Sequence, residues 1–183
     1  MSRARIGGLV LAAGEGSRFA GGTKQLAKYG GRPLLEHALA AIAAQEPRVV
    51  VLGHAAEEIA AGVDLHGARP VVCADWERGQ AASLRCGIAA VGDVDAALVV
   101  LGDQPGLTPA AVAAVIAARP TARAAYDGRP GHPVLLGRAL LDRADELTGD
   151  EGFRALLDGA RTVEVGHLAD PADIDTREEL ARR

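Results

Sequence analysis

Leu9-Val-Leu-Ala-Ala-Gly-Glu-Gly-Ser-Arg-Phe-Ala-Gly-Gly-Thr-Lys24 decides how the rest of this chain is read. The apolar run Ile6 to Ala12 predicts a strand buried on both faces, the habit of a parallel sheet. It opens into a loop holding Gly14, Gly16, Gly21 and Gly22, with Arg18 and Lys24 among them. Small residues let the backbone approach a ligand closely, and successive N–H groups can cradle phosphate oxygens. Two cations supply charge where a triphosphate needs it. The stretch therefore predicts a nucleotide-phosphate loop at the carboxyl end of the first strand. The rival dinucleotide pattern, G-x-G-x-x-G, fails at its third glycine, where Phe19 stands. That pattern also wants an acid after the second strand, and Arg48 to Leu52 ends in Gly53-His54. No G-x-x-x-x-G-K-[ST] occurs, which disfavours a P-loop.

The strands that follow repeat the apolar theme. Val49 to Leu52, Pro70 to Ala74 and Ala96 to Leu101 read as buried strands. Between them, Pro33 to Ala44, Ala55 to Gly62 and about Gln80 to Val91 read as helices, with another from Thr108-Pro109 to about Arg119. This alternation predicts a parallel sheet with helices on both faces. Beyond it, Ala122 to Tyr126 and His132 to Leu136 predict two strands around the turn Asp127 to Gly131. Asp150 to Leu157 predicts a short helix, Thr162 to Val165 a late strand and Thr176 to Arg183 a terminal helix. No linker or repeat interrupts the 183 residues, so one α/β domain over 1–183 is expected.

Composition narrows the function. Hydrophobic residues make up 49% and aromatics 3%, so Val, Leu, Ile and Ala must build the core, with few rings for stacking nucleic-acid bases. A net charge of -4 gives no broad basic field for a polyanion. The absence of a long apolar run argues against a membrane span, and no signal-peptide pattern opens the chain. Cys73 and Cys86 show no C-x-x-C spacing and read as two ordinary thiols of a cytoplasmic protein.

Ligands of an open parallel sheet gather outside the carboxyl ends of its strands. Asp103 stands there after the fourth apolar strand, and suits Mg²⁺, which takes one or two carboxylates plus phosphate oxygens. Asp173 and Asp175 offer further carboxylates. Asp173 is expected to cap a helix or meet solvent. Ser83 falls in the first turn of a helix, where free N–H groups and a hydroxyl could read a base. His132 could touch an acceptor. His37, His54, His66 and His167 have no metal-ligand spacing.

Taken in order, these segments resemble the MobA-like nucleotidyltransferases, most of all the molybdenum cofactor cytidylyltransferases. Leu11-Ala-Ala-Gly-Glu-Gly-Ser-Arg-Phe, Lys24-Gln-Leu, Gly31-Arg-Pro-Leu-Leu, Gly79-Gln-Ala-Ala-Ser-Leu-Arg-Cys-Gly, Leu101-Gly-Asp-Gln-Pro, Gly131-His-Pro-Val-Leu-Leu, Gly152-Phe-Arg-Ala-Leu-Leu and Asp173-Ile-Asp-Thr carry the likeness from about residue 6 to 180. It implies a single-domain, Rossmann-like three-layer sandwich of nucleotide-diphospho-sugar transferase type. It implies CMP transfer from CTP to a molybdopterin-type phosphate, with Mg²⁺ as cofactor and a molybdoenzyme or its chaperone as recipient. Ala12, Ala13, Gly14, Gly16, Arg18, Lys24, Gly79, Ser83 and Asp103 would bind the nucleotide. Arg18 and Lys24 would be catalytic, Asp103 and Asp175 would hold the metal, and His132 would meet the acceptor. Guanylyl or sugar-phosphate transfer, a catabolic oxidoreductase and a non-catalytic nucleotide carrier are the alternatives.

Overall fold

A computed structural model describes residues 4–149 and 157–183. The seven-stranded sheet runs β5-β4-β1-β6-β8-β7-β9. Its strands are β1 (Ile6–Ala12), β4 (Arg48–Leu52), β5 (Arg69–Val72), β6 (Ala96–Leu101), β7 (Ala122–Tyr126), β8 (Arg129–Gly137) and β9 (Arg161–Glu164). A small hairpin, β2 (Lys28–Tyr29) and β3 (Arg32–Pro33), follows the glycine loop. Among the described residues the helices are α1 (Leu34–Ala41), α2 (Ala56–Gly62), α3 (Gln80–Val91), α4 (Pro109–Ala117), α5 (Arg138–Leu141) and α6 (Arg177–Ala181).

Side-chain alternation along β1 divides the core into two layers. Val10 and Ala12 pack with Leu35 and Leu39 of α1, Ile59 of α2, and Ala111 and Val115 of α4. Leu9 and Leu11 point the other way, to Ala81, Leu84 and Val91 of α3 and Leu141 of α5. A strand covered on both faces must be apolar at every position, which is why these runs lack polar breaks. Truncating a fully buried residue at the sheet centre, such as Leu98, to alanine is expected to cost about 2–5 kcal/mol.

The first half follows the expected plan: β5, β4, β1 and β6 are all parallel. The second half differs, because β8 runs antiparallel between β6 and β7. The hairpin joining β7 to β8 turns on Asp127 (φ 51°) and Gly128 (φ 74°), the paired positive angles an Asp-Gly two-residue turn needs. The turn is thus tighter than Asp127 to Gly131, and His132 lies inside β8 rather than at a strand's start. The Glu164 carboxylate accepts from the backbone N–H groups of Asp127 and Gly128 and secures the turn.

Helix ends shift by small physical amounts. Pro33 caps α1 from outside, and the chain leaves the helix at Ile42, short of Ala44. Thr108 caps α4, accepting from Ala111 N, with Pro109 in the first turn where its missing N–H costs nothing. Thr176 and Glu179 form a capping box on α6. The expected helix Asp150 to Leu157, and with it most of Gly152-Phe-Arg-Ala-Leu-Leu, lies outside the described residues. Cys73, just past β5, and Cys86, on α3, are joined as a disulfide with Cα atoms 5.9 Å apart. They are not the two free thiols expected, and that support for a cytoplasmic chain is withdrawn. Among the described residues no helix is long and apolar enough to cross a membrane.

Candidate active site

The carboxyl rim of the sheet brings together what the sequence scatters. β1 delivers the glycine loop, β6 delivers Asp103, and the segment before α6 delivers Asp175. The C-terminal segment is tied to the rim by its own backbone, since Ile174 N donates to Asp103 O at 3.1 Å. Ile174 is buried with Phe19 of the loop and Leu34 of α1, so one apolar plug aligns the loop, α1 and the C-terminal segment.

Lys24 stands at the centre. Its Nζ donates to Asp103 Oδ2 and to Asp175 Oδ1, both at 2.6 Å. Only 8% of its side chain is exposed. Burial works against the ammonium, but Asp103 and then Asp175 more than offset it and hold its pKa above the ordinary lysine range. Asp175 also receives Arg18 Nη2 on Oδ2 at 2.8 Å. Burial alone would raise the Asp175 pKa; the Lys24 bond and the two cations bring it below the usual value. Among the described residues, the buried Asp103 Oδ1 has no hydrogen-bond partner. The chain therefore places a cation of its own, Lys24, between Asp103 and Asp175.

Around this triad lies a cavity of about 260 Å³ lined by Ala12, Gly14, Gly16, Arg18, Lys24 and Asp103. Gly16 has φ +64°, a region costly for other residues, and a Cβ there would press on the Lys24 stem at 3.3 Å. A second cavity, about 370 Å³, adjoins it and is lined by Ala13, Gly14, Trp76, Gly79, Ser83 and Asp103. Gly79 caps α3 at φ 99°. The expected nucleotide residues thus line two adjoining hollows.

A third cavity of about 580 Å³ opens on the far side of β6, between Gln104, Tyr126, Arg129, His132, Pro171 and Asp173. Burial pushes the His132 imidazole down to about 4 despite the pull of Asp103. The Tyr126 hydroxyl, pushed up to about 12 by burial, donates to His132 O at 2.7 Å. Asp173 is exposed, one of the two settings expected of it, and Thr176 rather than Asp173 caps the following helix. Asp173 accepts from Gln104 Nε2 at 2.7 Å, and burial with Asp103 and Asp175 nearby raises its pKa despite that bond.

Four residues with no role assigned from sequence shape the site. Gln25 is buried and donates to Ala12 O at 3.1 Å, pinning the loop's exit to its entry. Gln104 holds Asp173 and Pro171. Trp76 walls the second cavity, with His54 packed edge-on at 5.8 Å. Arg177 donates to Ala20 O and Gly21 O and lies 5.1 Å above the Phe19 ring. Gln25 and Gln104 sit beside Lys24 and Asp103 in the quoted motifs; nothing in sequence singles out Arg177.

A glycine loop, a shielded lysine and two acids on the carboxyl rim of an open sheet define a nucleotide-handling α/β protein. More particularly, residues 8–165 match the MobA-like NTP transferase domain, and the chain belongs to that family. It is 33% identical to the nicotine blue oxidoreductase of Paenarthrobacter nicotinovorans, over 97% of this chain and 95% of that one. The crystal structure of Rv0371c from Mycobacterium tuberculosis H37Rv superimposes with a TM-score of 0.83 at 33% identity, covering 100% of this chain and 98% of that one. Its manganese complex superimposes at 0.78 with 29% identity over 97% of each. A nucleotidyl transferase from Methanothermobacter superimposes at 0.80 with 26% identity, over 97% of this chain and 95% of that one.

Proposed function

We propose that this chain transfers a nucleotidyl group, CMP from CTP, to a phosphate of a molybdopterin-type acceptor and releases pyrophosphate. The observation that carries the reading is the buried Lys24 between Asp103 and Asp175, against a glycine loop. In this transfer an acceptor oxygen bonds to the α-phosphorus as the bond to the β-phosphate bridge breaks. Such chemistry asks for alignment and charge neutralisation more than for proton transfer.

The roles divide by cavity. The N–H groups around Gly14 and Gly16 hold the triphosphate, and the exposed Arg18 guanidinium turns onto its outer oxygens. Lys24 neutralises charge at the α-phosphate, a contribution of about 3 kcal/mol for one well-placed donor. Ala12, Ala13, Gly79 and Ser83 seat the sugar and base. His132, kept neutral, faces the acceptor's body. Asp103 and Asp175 fit Mg²⁺: they are oxygen donors, and the buried Asp103 Oδ1 has no partner among the described residues. Bound there, the ion would neutralise phosphate charge during the transfer. The manganese bound by Rv0371c supports a divalent site in this fold. We place the reaction in the cytoplasm, with a molybdoenzyme or its chaperone receiving the product.

Pyrophosphate release is measured with CTP, GTP, ATP and UTP, each with Mg²⁺ and with or without molybdopterin. Acceptor-dependent release from CTP is expected; release only from GTP, or with a sugar phosphate, would move the chain to another branch. The relative named nicotine blue oxidoreductase favours one other reading, a catabolic oxidoreductase. A visible absorption band in the purified protein, or consumption of a nicotinamide cofactor with an oxidised aromatic substrate, would favour that reading.

A further inference from the structure

Two carboxylates, Asp103 and Asp175, meet on one ammonium. Lys24 Nζ lies 2.6 Å from Asp103 Oδ2 and 2.6 Å from Asp175 Oδ1. Arg18 covers the other Asp175 oxygen at 2.8 Å, and the buried Asp103 Oδ1 has no partner among the described residues. The charges balance: two acids, one lysine, one arginine. A divalent cation entering between the same acids neutralises both by itself. Lys24 is then surplus, repelled at short range, and too shielded to stand alone, because an unpaired buried charge costs several kcal/mol. The neighbouring group that can present another anion is the glycine loop, whose Gly16 packs against the Lys24 stem.

We infer that Lys24 is an exchangeable internal cation: it occupies the Asp103–Asp175 pair, gives way to a divalent metal, and moves onto the phosphates of the nucleotide. The inference rests on the proposed function for the identity of the phosphate ligand. Lys24 thereby joins metal entry to nucleotide entry. Metal alone must displace the lysine and binds weakly. Nucleotide receives the lysine and strengthens metal binding, and by reciprocity metal strengthens nucleotide binding.

The chain holds only two lysines, Lys24 and Lys28, and Lys28 is exposed, so it is an internal reference. Wild-type protein is acetylated with an N-hydroxysuccinimide ester, and the two sites are quantified by mass spectrometry. Saturating Mn²⁺ without nucleotide is expected to raise the Lys24-to-Lys28 labelling ratio at least about fivefold, and CTP with Mn²⁺ to lower it again, within the usual range of coupling between sites. In parallel, free Mn²⁺ is followed by electron paramagnetic resonance. Lys24→Met without nucleotide is expected to bind Mn²⁺ about tenfold tighter than wild type, and Lys24→Met/Asp103→Asn to lose that gain. A labelling ratio that does not move while Mn²⁺ is bound overturns the inference. So does equal Mn²⁺ affinity in wild type and Lys24→Met, or failure of Mn²⁺ to bind either protein. If circular dichroism shows that Lys24→Met does not fold, the wild-type labelling decides. If calorimetry detects no CTP binding while Mn²⁺ still exposes Lys24, cytidylyl transfer fails and the exchange of Lys24 for metal stands. If CTP binds and Mn²⁺ leaves Lys24 shielded, the exchange fails alone.

Discussion

The two sides of β6 are built on opposite electrostatic plans. On the β1 side, Arg18, Lys24, Asp103 and Asp175 are charged and paired with one another. On the β8 side, His132 is held neutral, and Asp173 holds on to its proton longer than an ordinary carboxyl. The distances from one side to the other are short, since Asp103 influences both His132 and Asp173. The difference teaches a division of labour. The charged side suits a polyphosphate, whose transition state gains from fixed cations. The other side suits the body of an acceptor, recognised by hydrogen bonds from the neutral His132 and from Asp173.

The sharpest way to break this contrast is to remove charge from the first side only. Asp103→Asn and Asp175→Asn are each expected to lower pyrophosphate release by about three orders of magnitude, with the double variant little worse, because the acids act as one unit. Lys24→Ala is expected to lower kcat by about two orders of magnitude in the same assay; a loss confined to KM for CTP would make Lys24 a uniform phosphate binder.

The second side should respond differently. Asp173→Asn and Gln104→Ala are expected to raise the acceptor KM about tenfold while leaving the CTP KM unchanged, because one lost hydrogen bond is worth about 1 kcal/mol and a polar network somewhat more. Steady-state kinetics with each substrate varied in turn checks this. Equal shifts in both KM values would merge the two sides into one site.

The smallest effect concerns stability. His132 titrates at about 4 in the folded chain against 6.5 for an ordinary histidine. Between those values the unfolded chain takes up a proton that the folded chain refuses. Stability present above pH 6.5 is therefore lost as the pH falls toward 4, by up to about 3 kcal/mol. Urea denaturation from pH 7 to pH 4 should show wild type losing more stability than His132→Asn over that window. Parallel curves would mean that burial does not hold the imidazole neutral.

The charged side was also the legible side. Ile6 to Ala12 and Ala96 to Leu101 could be read to the residue, and Gln80 to Val91 closely, because strands buried on both faces and a helix opened by glycine leave plain marks. Lys24 and Asp103 were legible because a lysine and an acid beside glycines at strand ends have little structural use. Their mutual contact was not, since it depends on the backbone tie between Ile174 and Asp103. The reversed direction of β8 left no mark either: an apolar run reads the same both ways. Gln25, Gln104 and Arg177 bond mainly to backbone carbonyls, and sequence does not say which carbonyls will lie within reach. Cys73 and Cys86 misled for the same reason, because a strand end and a helix meet only in the fold.

The most direct test of nucleotidyl transfer is a single-turnover experiment with α-³²P-labelled CTP, Mg²⁺ and molybdopterin. The prediction is a labelled acceptor product and unlabelled pyrophosphate in equal amounts, both absent with Asp103→Asn. Label recovered entirely as CTP, in protein shown by calorimetry to bind it, would contradict the reading and leave a nucleotide-binding protein without this chemistry.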